Sequence, residues 1–461
     1  MPKKKTALTI EERLQQALVP AEEQPYEVPE NWVWVRLGAF AEAISKGTTP
    51  KGGSAAYVDE GVNFLRVENL TSDGYISHSK ITHITEEMHE NYLKRSILKA
   101  NDLLISIAGS LGKSAIVREC DLPINTNQAI AFVRLFADKI DVNYIRNTIE
   151  SPLINSVLTK QTKVTSIPNL TLEIIKDCPI PLPPLSEQQR IVERIEELFA
   201  KLDEAKERLQ EVADSFAVRK AAILHKAFTG ELTKQWRREN GVSDESWEEK
   251  KLGEICKIGS GGTPSRKHEE YYNGNIPWVK TGELAWNVIN ESEEYITEEA
   301  VANSSAKMHF AGSVLVAMYG QGLTRGKAAI LGINATTNQA VCALQPLELL
   351  TSEFLFYYFM KNYWQFREEA VGGNQPNYSA KMISNWLINL PSLPEQHEIV
   401  HLIDDLLARE CAAQQAAEQA LASIDLMKKS ILARAFRGEM GTNKASDASA
   451  LELLRQVLAE N

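Results

Sequence analysis

The sequence contains few cysteines and no long apolar segment, and both absences narrow its class. Its five cysteines are scattered through 461 residues without a Cys-x-x-Cys pair, which argues against a disulfide framework and against a zinc site. No apolar segment approaches the roughly 20 residues that cross a bilayer, and the basic start is followed by no apolar region of a secretory signal. These absences predict a cytoplasmic protein with reduced thiols, no membrane partner and no bound metal.

An excess of positive charge is also missing. The chain has 50 Lys and Arg against 61 Asp and Glu, a formal net charge of −11, whereas a simple DNA-binding protein is usually basic. Much of the acidic excess lies in helices and termini, for example between Glu22 and Glu30, so basic faces can still form locally. If the chain binds DNA, we expect a partner to supply many of the phosphate contacts.

Motifs for catalysis are incomplete. Gly112, Lys113 and Ser114 match the end of a P-loop, but Ile107 stands where that motif needs glycine. Residues 374–378 read NQPNY rather than the NPPY or DPPY of an adenine methyltransferase, and no carboxylate cluster with a following lysine marks a nuclease. The sequence therefore predicts that this chain is not an enzyme, has no catalytic residues and binds no cofactor itself.

One unit is written twice along the chain. The segment PLPPLSEQQRIVERI begins at Pro181 and NLPSLPEQHEIVHLI begins at Asn389, an offset of 208 residues. Upstream, an offset of 211 relates TNQA at 126–129 to TNQA at 337–340. Since chance similarity would not keep its order along the whole chain, we infer an internal duplication.

Each copy begins with a mixed region of short strands and one helix. Short apolar runs bounded by glycine clusters are typical of strands, and longer periodic segments are typical of helices. The predicted strands are Asn63–Val67, Leu103–Ile107, Ala129–Phe132, Ile276–Val279, Val314–Met318 and Ala340–Leu344, and the predicted helices are Tyr144–Leu158 and Glu353–Glu369. We therefore predict an α+β domain in each copy.

A proline-rich link and a long helix follow the first mixed region. Pro179–Pro184 cannot be helical inside, and Ser186 is predicted to cap the helix that follows. Apolar residues then recur at alternating intervals of four and three, the heptad pattern of a coiled coil. The residues predicted to pair are Ile191, Ile195, Leu198, Leu202 and Leu209 in the first helix and Ile399, Ile403, Leu406, Ala413 and Ala417 in the second.

Several pairings are open for these helices. An apolar stripe can pair within the chain, form a homodimer or bind an external helix. We favour antiparallel pairing within the chain, because both copies carry the stripe in one frame. Short amphipathic helices at Thr9–Leu18 and Ala450–Ala459 are expected to pair with one another or to dock a partner.

These features together predict the fold class and the order of segments. The fold class is α+β, with two globular α+β domains in tandem, each followed by a long α-helix, and with the two helices pairing as an antiparallel coiled coil. The predicted segments are an N-terminal extension 1–30, a first domain 31–184, a first long helix and linker 185–245, a second domain 246–392, a second long helix 393–440 and a C-terminal tail 441–461.

Both copies resemble a known family. Residues 185–192, the long helix after them and AFTGEL at 227–232 look like the conserved region of type I restriction-modification specificity subunits. LPEQ and AFRGE in the second copy resemble the same region, and the GTTP and GGTP stretches suit the openings of that family's target-recognition domains. The departures are Pro394 where the first copy has Ser186, and an acidic N-terminal extension.

The resemblance implies a function in DNA recognition. Each domain would read one half of a bipartite, asymmetric double-stranded DNA target, and the helix pair would set the spacer. Two methyltransferase subunits carrying S-adenosylmethionine would bind the helices and methylate adenine, and restriction subunits would cut unmethylated DNA with ATP and Mg²⁺. The stretches 70–100 and 284–310 barely match, which fits two different targets or neutral drift. The alternative function is a coiled-coil scaffold that never touches DNA.

The residues predicted to contact DNA lie at matching places in the two copies. Gly-rich loops offer backbone amides and a cation to phosphate, strand ends offer a cation to phosphate or guanine, and Asn or Gln can pair with adenine. The first-domain candidates are Thr48, Thr49, Lys51, Arg66, Ser110, Lys113, Lys163, Thr165 and Asn169. The second-domain candidates are Thr263, Arg266, Lys280, Tyr319, Thr324, Arg325, Lys327, Asn374, Gln375, Asn377 and Tyr378.

Each candidate also has an ordinary structural interpretation. The Gly-rich loops can be plain turns, and Arg66 and Lys280, which occupy matching positions, can form surface ion pairs. The Asn-Gln pairs at 127–128 and 338–339 are shared by both copies. Because they are shared, we favour a structural role for these two pairs over sequence reading.

Overall fold

A computed structural model of the chain describes residues 8–71, 73–136, 138–160, 169–320, 322–369 and 378–459. Contacts divide the chain into unit 1, which is Met1–Leu209 with Ala420–Asn461, and unit 2, which is Gln210–Gln419. Each unit therefore joins one mixed region to part of both long helices. Among the described helices, none is long and apolar enough to cross a membrane.

The first half of the chain contains short strands and helices before one long helix. Its elements in chain order are α1 (Ile10–Ala17), β1 (Val33–Arg36), β2 (Ala41–Lys46), β3 (Val62–Leu65), β4 (Thr82–Ile84), β5 (Leu103–Ser106), β6 (Ser114–Ile116), β7 (Ile124–Thr126), β8 (Ile130–Leu135), α2 (Val142–Glu150), α3 (Pro152–Lys160), α4 (Leu172–Lys176), β9 (Pro179–Leu182) and α5 (Leu185–Phe228). One sheet has the order β2–β8–β5–β6, another has the order β4–β3–β7, and β1 pairs with β9.

The second half repeats this plan. Its elements are α6 (Lys234–Glu239), β10 (Glu248–Lys251), α7 (Leu252–Ile255), β11 (Cys256–Ser260), β12 (Tyr272–Val279), β13 (Val288–Ile289), β14 (Tyr295–Ile296), α8 (Glu298–Ala302), β15 (Met308–His309), β16 (Val314–Ala317), β17 (Ala328–Leu331), β18 (Ala335–Thr337), β19 (Val341–Pro346), α9 (Ser352–Glu369), α10 (Ala380–Ser384), β20 (Leu387–Leu390), α11 (Leu393–Ala435) and α12 (Ala450–Ala459). Its sheets have the orders β11–β19–β16–β17–β13 and β14–β12–β18–β15. The pair β10–β20 corresponds to β1–β9, and the parallel pair β12–β18 corresponds to β3–β7.

The central strands are apolar on both faces because both faces are covered. In β5, Leu103 and Ile105 belong to the core cluster that contains Ile191 of α5, whereas Leu104 belongs to a second cluster on the other side. A strand covered on both faces needs a continuous apolar run rather than an alternating one, which explains the sequence LLIS of β5 and VLVA of β16.

The strand predictions are confirmed, but two details near helix starts are wrong. The segment predicted as one helix over Tyr144–Leu158 is two helices, because Ser151 (φ −59°, ψ 141°) is extended before Pro152. Proline disfavours helical backbone at the preceding residue. Ser186 does not cap α5, since the helix already begins at Leu185, and its Oγ instead donates to Asp447 Oδ1 at 3.2 Å.

The two long helices run antiparallel, as predicted. In unit 1, Nε of Arg190, near the start of α5, donates to the carbonyl of Thr442, beyond the end of α11, at 3.0 Å. Farther along α5, Asp203 accepts a hydrogen bond of 2.6 Å from Lys428 of α11. Residue numbers therefore rise along α5 as they fall along its partner, which confirms antiparallel pairing within the chain.

The residues predicted to pair the two long helices form a seam, and all of them except one are buried or half-buried. Ala413 is exposed, so the structure does not place it in the buried seam. Nearby in unit 2 the contact between the helices is polar, since Nε of Arg219 donates to Glu410 at 2.8 Å. The buried seam residues are Ile191, Ile195, Ile399, Ile403 and Ala417, and the half-buried ones are Leu198, Leu202, Leu209 and Leu406.

The short helices near the two chain ends pair with one another in unit 1. Thr9 caps α1 through a reciprocal pair of bonds with Glu12, in which the Thr9 N–H donates to the carboxylate at 2.8 Å. Arg13 of α1 then donates to the carbonyl of Leu458 of α12 at 3.2 Å. Leu454 of α12 is fully buried in the core of unit 1. Of the two uses predicted for these helices, the structure therefore shows mutual pairing.

A buried glutamate anchors the first turn of α5. Glu187 is fully buried, and it accepts hydrogen bonds from Trp32 Nε1 at 2.8 Å and from Asn443 Nδ2 at 3.0 Å. Burial raises the pKa of this carboxyl, although hydrogen bonds from Trp32 and Thr442 oppose that effect. Residues after α11 thus cover the start of α5, and the groups that donate hydrogen bonds to Glu187 are neutral.

The first turn of α11 has an equivalent glutamate with different partners. Glu395 is fully buried, and its Oε1 accepts from Thr233 Oγ1 and from Arg237 Nη1, both at 2.7 Å. The Arg237 side chain is 6% exposed and also donates to Asp244 at 3.0 Å. The two copies therefore share the position of the glutamate but not the chemistry that surrounds it.

Candidate DNA interface

In unit 1 the turn that contains Asn127 holds the predicted DNA-contacting loops together. Its Oδ1 accepts from the backbone of Ala129 at 3.0 Å, and its own N–H donates to Leu65, at the end of β3, at 3.1 Å. The Gly-rich loop bonds beside this turn through the N–H of Gly47. A Cβ at Gly47 would lie 2.2 Å from the Asn127 carbonyl oxygen, so only glycine fits there.

Unit 2 builds the same turn around Asn338. Its Oδ1 accepts from the backbone of Ala340 at 3.2 Å, and its N–H donates to Val279, at the end of β12, at 3.0 Å. A Cβ at Gly261 of the Gly-rich loop would lie 2.4 Å from the Asn338 carbonyl oxygen. The structural role predicted for the shared asparagines is therefore confirmed in both units.

Two further predicted segments reach this turn in each unit. In unit 1, residues 107–113 form the hairpin loop between β5 and β6. The backbone N–H of Ile107 donates to the carbonyl of Ala129 at 2.8 Å, and the backbone N–H of Leu170 donates to the carbonyl of Ile107 at 3.0 Å. In unit 2, Met318 and Tyr378 make the corresponding bonds at 2.8 and 2.9 Å. We call these converging segments the loop cluster of each unit: 47–51, Arg66, 109–113 and Asn169 in unit 1, and 261–266, Lys280, 319–320, 322–327 and Tyr378 in unit 2.

In the loop cluster of unit 1, one exposed and one half-buried cation lie near aromatic rings. Lys51 Nζ lies 5.8 Å from the ring centroid of Tyr92, and Arg66 Cζ lies 4.9 Å from that of Tyr57. The surface ion pair considered for Arg66 is long, at 4.0 Å from Glu68, and an exposed pair of this kind contributes little. The exposed candidates besides Lys51 are Thr48, Thr49, Ser110, Lys113 and Asn169, whereas Arg66 is half-buried.

In unit 2 the corresponding cations share one carboxylate. Arg266 Nη2 lies 2.8 Å from Glu294 Oε2, and Lys280 Nζ lies 2.9 Å from Glu294 Oε1. The hydrogen bond from Lys280 lowers the pKa of Glu294 despite its partial burial, so this carboxyl is charged at neutral pH. Lys280 therefore forms an ion pair, which was the structural alternative to a DNA contact for this residue. Arg266 contacts the same carboxylate as Lys280, and Thr263, in the same Gly-rich loop as Arg266, is half-buried.

The hairpin loop of unit 2 is held by helix α9. Arg367 donates to the carbonyl of Arg325 at 2.6 Å and to that of Gly322 at 2.9 Å. Arg325 in turn donates to the carbonyl of Arg367 at 3.2 Å, so its guanidinium is engaged within the protein. The remaining candidates of this loop are all half-buried: Tyr319, Thr324 and Lys327.

Tyr378 is a core residue rather than a DNA contact. Its side chain is only 4% exposed, and its ring packs edge-on against Trp386 at 5.3 Å. A buried ring cannot reach a base without opening the core, so the structure corrects this prediction. The candidates Lys163, Thr165, Asn374, Gln375 and Asn377 lie outside the described residues.

The residues that orient Arg266 and Lys280 were not predicted from the sequence. Tyr272 and Trp278 of β12 flank Arg266. A register shift between Tyr272 and Ile276 interrupts the alternation of this strand, so their spacing in the sequence gives no signal for the contact. Glu294 has no signal in the sequence either. In the part of the chain that the structure describes, no group of three or more His, Cys, Asp or Glu could hold a metal ion.

Comparisons with known proteins match both copies to one family. The family profile described as Type I restriction modification DNA specificity domain matches residues 29–214 and 244–421. The EcoBI specificity subunit of Escherichia coli is 33% identical over 216 residues, which are 46% of this chain and 44% of that protein. The EcoR124I/EcoR124II specificity subunit of Escherichia coli is 32% identical over 34% of this chain and 39% of its own length. The chain thus spans less than half the length of these two relatives.

Solved structures share the fold along most of the chain. The crystal structure of the HsdS subunit from Thermoanaerobacter tengcongensis covers 91% of this chain and 100% of its own, with a TM-score of 0.66 at 20% identity. A chain from a structural study of complex assembly in the type I R-M system covers 90% of this chain with a TM-score of 0.65 at 21% identity. Because the family profile matches most of the sequence in two tandem copies, the chain belongs to the family of type I restriction-modification DNA specificity subunits.

Proposed function

We propose that this chain is the DNA-recognition subunit of a type I restriction-modification complex. Each mixed domain reads one half of a bipartite, asymmetric duplex target. The chain itself is non-catalytic and acts in the cytoplasm, where it positions two methyltransferase subunits for adenine N6 methylation and restriction subunits for cleavage. In this proposal the chain binds no cofactor, the methyltransferase subunits carry S-adenosylmethionine, and the restriction subunits use ATP and Mg²⁺.

The observation that carries this proposal is the loop cluster, which is built in the same way in both units but carries different side chains. Asn127 and Asn338 hold equivalent turns. Exposed Lys51 and half-buried Arg66 lie around the first turn, whereas exposed Arg266 and half-buried Lys280 lie around the second. A constant backbone frame with different side chains suits two readers of different half-sites, because base-edge contacts specify sequence while the frame fixes register.

Methylation in cells should depend on this chain and should follow a two-part motif. We expect adenine methylation on both strands of an asymmetric bipartite site when the chain is expressed with its methyltransferase subunit. Omitting the chain should remove that methylation, because nothing else in the complex would direct it. Long-read sequencing of the host genome measures the modified positions. An assembled complex that binds the methyl donor but methylates nothing would favour the scaffold function instead.

The spacer within the motif should follow the length of the two long helices. Inserting one helical turn, about 5.4 Å, into both α5 and α11 should move methylation to sites whose spacer is longer by one or two base pairs, since the axial rise is about 3.4 Å per pair. The same insertion at Gly241, an exposed turn outside both helices, serves as the control and should leave the spacer unchanged. Activity with an unaltered spacer in the helix variant would reject this role for the helices.

A further inference from the structure

Arg266 is held in place although its side chain is 58% exposed. Its Cζ lies 4.2 Å from the ring centroid of Tyr272 and 5.3 Å from that of Trp278, while its Nη2 bonds to Glu294 at 2.8 Å. An exposed arginine ordinarily samples many rotamers, and a planar guanidinium that is fixed in advance loses less freedom when it binds. The side chain is therefore preorganised in the free protein.

The same aromatic pair also fixes the backbone beneath Arg266. Trp278 Nε1 donates to the carbonyl of Gly262 at 3.0 Å, and the Tyr272 hydroxyl donates to the carbonyl of Pro264 at 2.7 Å. The loop is packed so closely that a Cβ at Gly262 would lie 2.3 Å from the backbone of Ser305. Both the guanidinium and the loop that carries it are thus set by rigid neighbours.

The charges around Arg266 favour a directional contact over attraction to phosphate. Arg266 and Lys280 are balanced by Glu294 and by Glu293, which lies 3.4 Å from Lys280. A group without net charge gains little from the phosphate backbone, which attracts unpaired cations. Within the described residues, the guanidinium of Arg266 makes one hydrogen bond, from Nη2 to Glu294. That bond uses one of the two Nη2 hydrogens, so the other edge of the guanidinium, which Nη2 forms with Nε or with Nη1, remains open to a ligand with two acceptors.

We propose that Arg266 reads a guanine in the half-site of the second domain and that Glu294 is its positioning residue. Guanine presents N7 and O6 side by side in the major groove, and the planar donor fork of arginine matches both acceptors. This inference rests on the proposed function and adds a base to it.

The test compares methylation motifs of the complete complex with variants of this chain. Arg266→Lys keeps the charge but loses the fork, so guanine preference at one position of the second half-site should fall about ten-fold. Glu294→Gln should relax the same position, and it should also steepen the salt dependence of binding to unrelated duplex by about one log unit per log unit of salt, because a cation is released to phosphate. Glu294→Asp should restore part of the preference.

The control is Glu291→Gln, the same charge change at an exposed neighbouring position, which should leave the motif as it is. The first half-site should be identical in all variants. If Arg266→Lys leaves the motif unaltered and only weakens binding to every duplex, Arg266 contacts phosphate and the inference is overturned. If Glu294→Gln abolishes methylation altogether, that variant has no motif to compare. The motif of the Arg266→Lys variant then decides whether Arg266 reads a guanine. Failure of the unaltered complex to methylate any motif would instead count against the proposed function.

Discussion

Arg237→Ala is expected to destabilise unit 2 by about 3–5 kcal/mol, the cost of leaving a buried charge without its partner. The substitution removes the cation that faces Glu395, whose carboxylate is fully buried. Thr233 would remain as a donor to Oε1, while Oε2 accepts no hydrogen bond from the described residues. Hydrogen exchange followed by mass spectrometry measures the loss locally, because peptides from unit 2 should lose protection.

Arg238→Ala is the matched control, since that neighbouring arginine is exposed and its loss should change stability by no more than about 0.5 kcal/mol. Combining Arg237→Ala with Glu395→Gln should recover part of the stability, because both charges are then gone. Equal effects of Arg237→Ala and Arg238→Ala would show that the buried pair does not hold the start of α11. At the offset of 208 residues Ala445 corresponds to Arg237, so the same experiment has no counterpart in unit 1.

Much of the fold could be predicted because the duplication and the strand pattern are local signals. The apolar run LLIS of β5 identifies a strand without knowledge of its neighbours. The break between α2 and α3 was also visible, since Pro152 restricts Ser151 whatever surrounds it. Ala413 shows where such reasoning ends. Heptad spacing identifies a stripe, but the polar contact of Arg219 with Glu410 depends on the facing helix.

The candidate site could be predicted only at the level of loops. Matching the two copies found the segments that meet at Asn127 and Asn338, because shared residues mark a shared frame. The pairing of Lys280 with Glu294 was out of reach. It depends on the antiparallel contact of β12 with β14. Just before β14, the carbonyl of Glu294 accepts from the backbone N–H of Trp278 at 2.9 Å. Strand pairing of this kind leaves no pattern in the sequence.

Leu454→Ala should destabilise unit 1 by about 2–5 kcal/mol, the usual cost of truncating a buried leucine. Leu454 of α12 is fully buried in a core that also contains Leu14 of α1 and Val457. The loss combines the apolar surface that is no longer buried with the cavity left behind. Since the core of unit 1 also contains Ile191 of α5, we expect faster hydrogen exchange at the start of that helix as well.

Gln456→Ala tests the same helix without touching the core, because Gln456 is exposed, and it should change stability by no more than about 0.5 kcal/mol. A difference between the two variants that is confined to peptides of unit 1 would show that α12 belongs to the folded core of that unit. If Leu454→Ala behaves like Gln456→Ala, α12 contributes little to that core. Its pairing with α1 through Arg13 and Leu458 would then be a surface contact only.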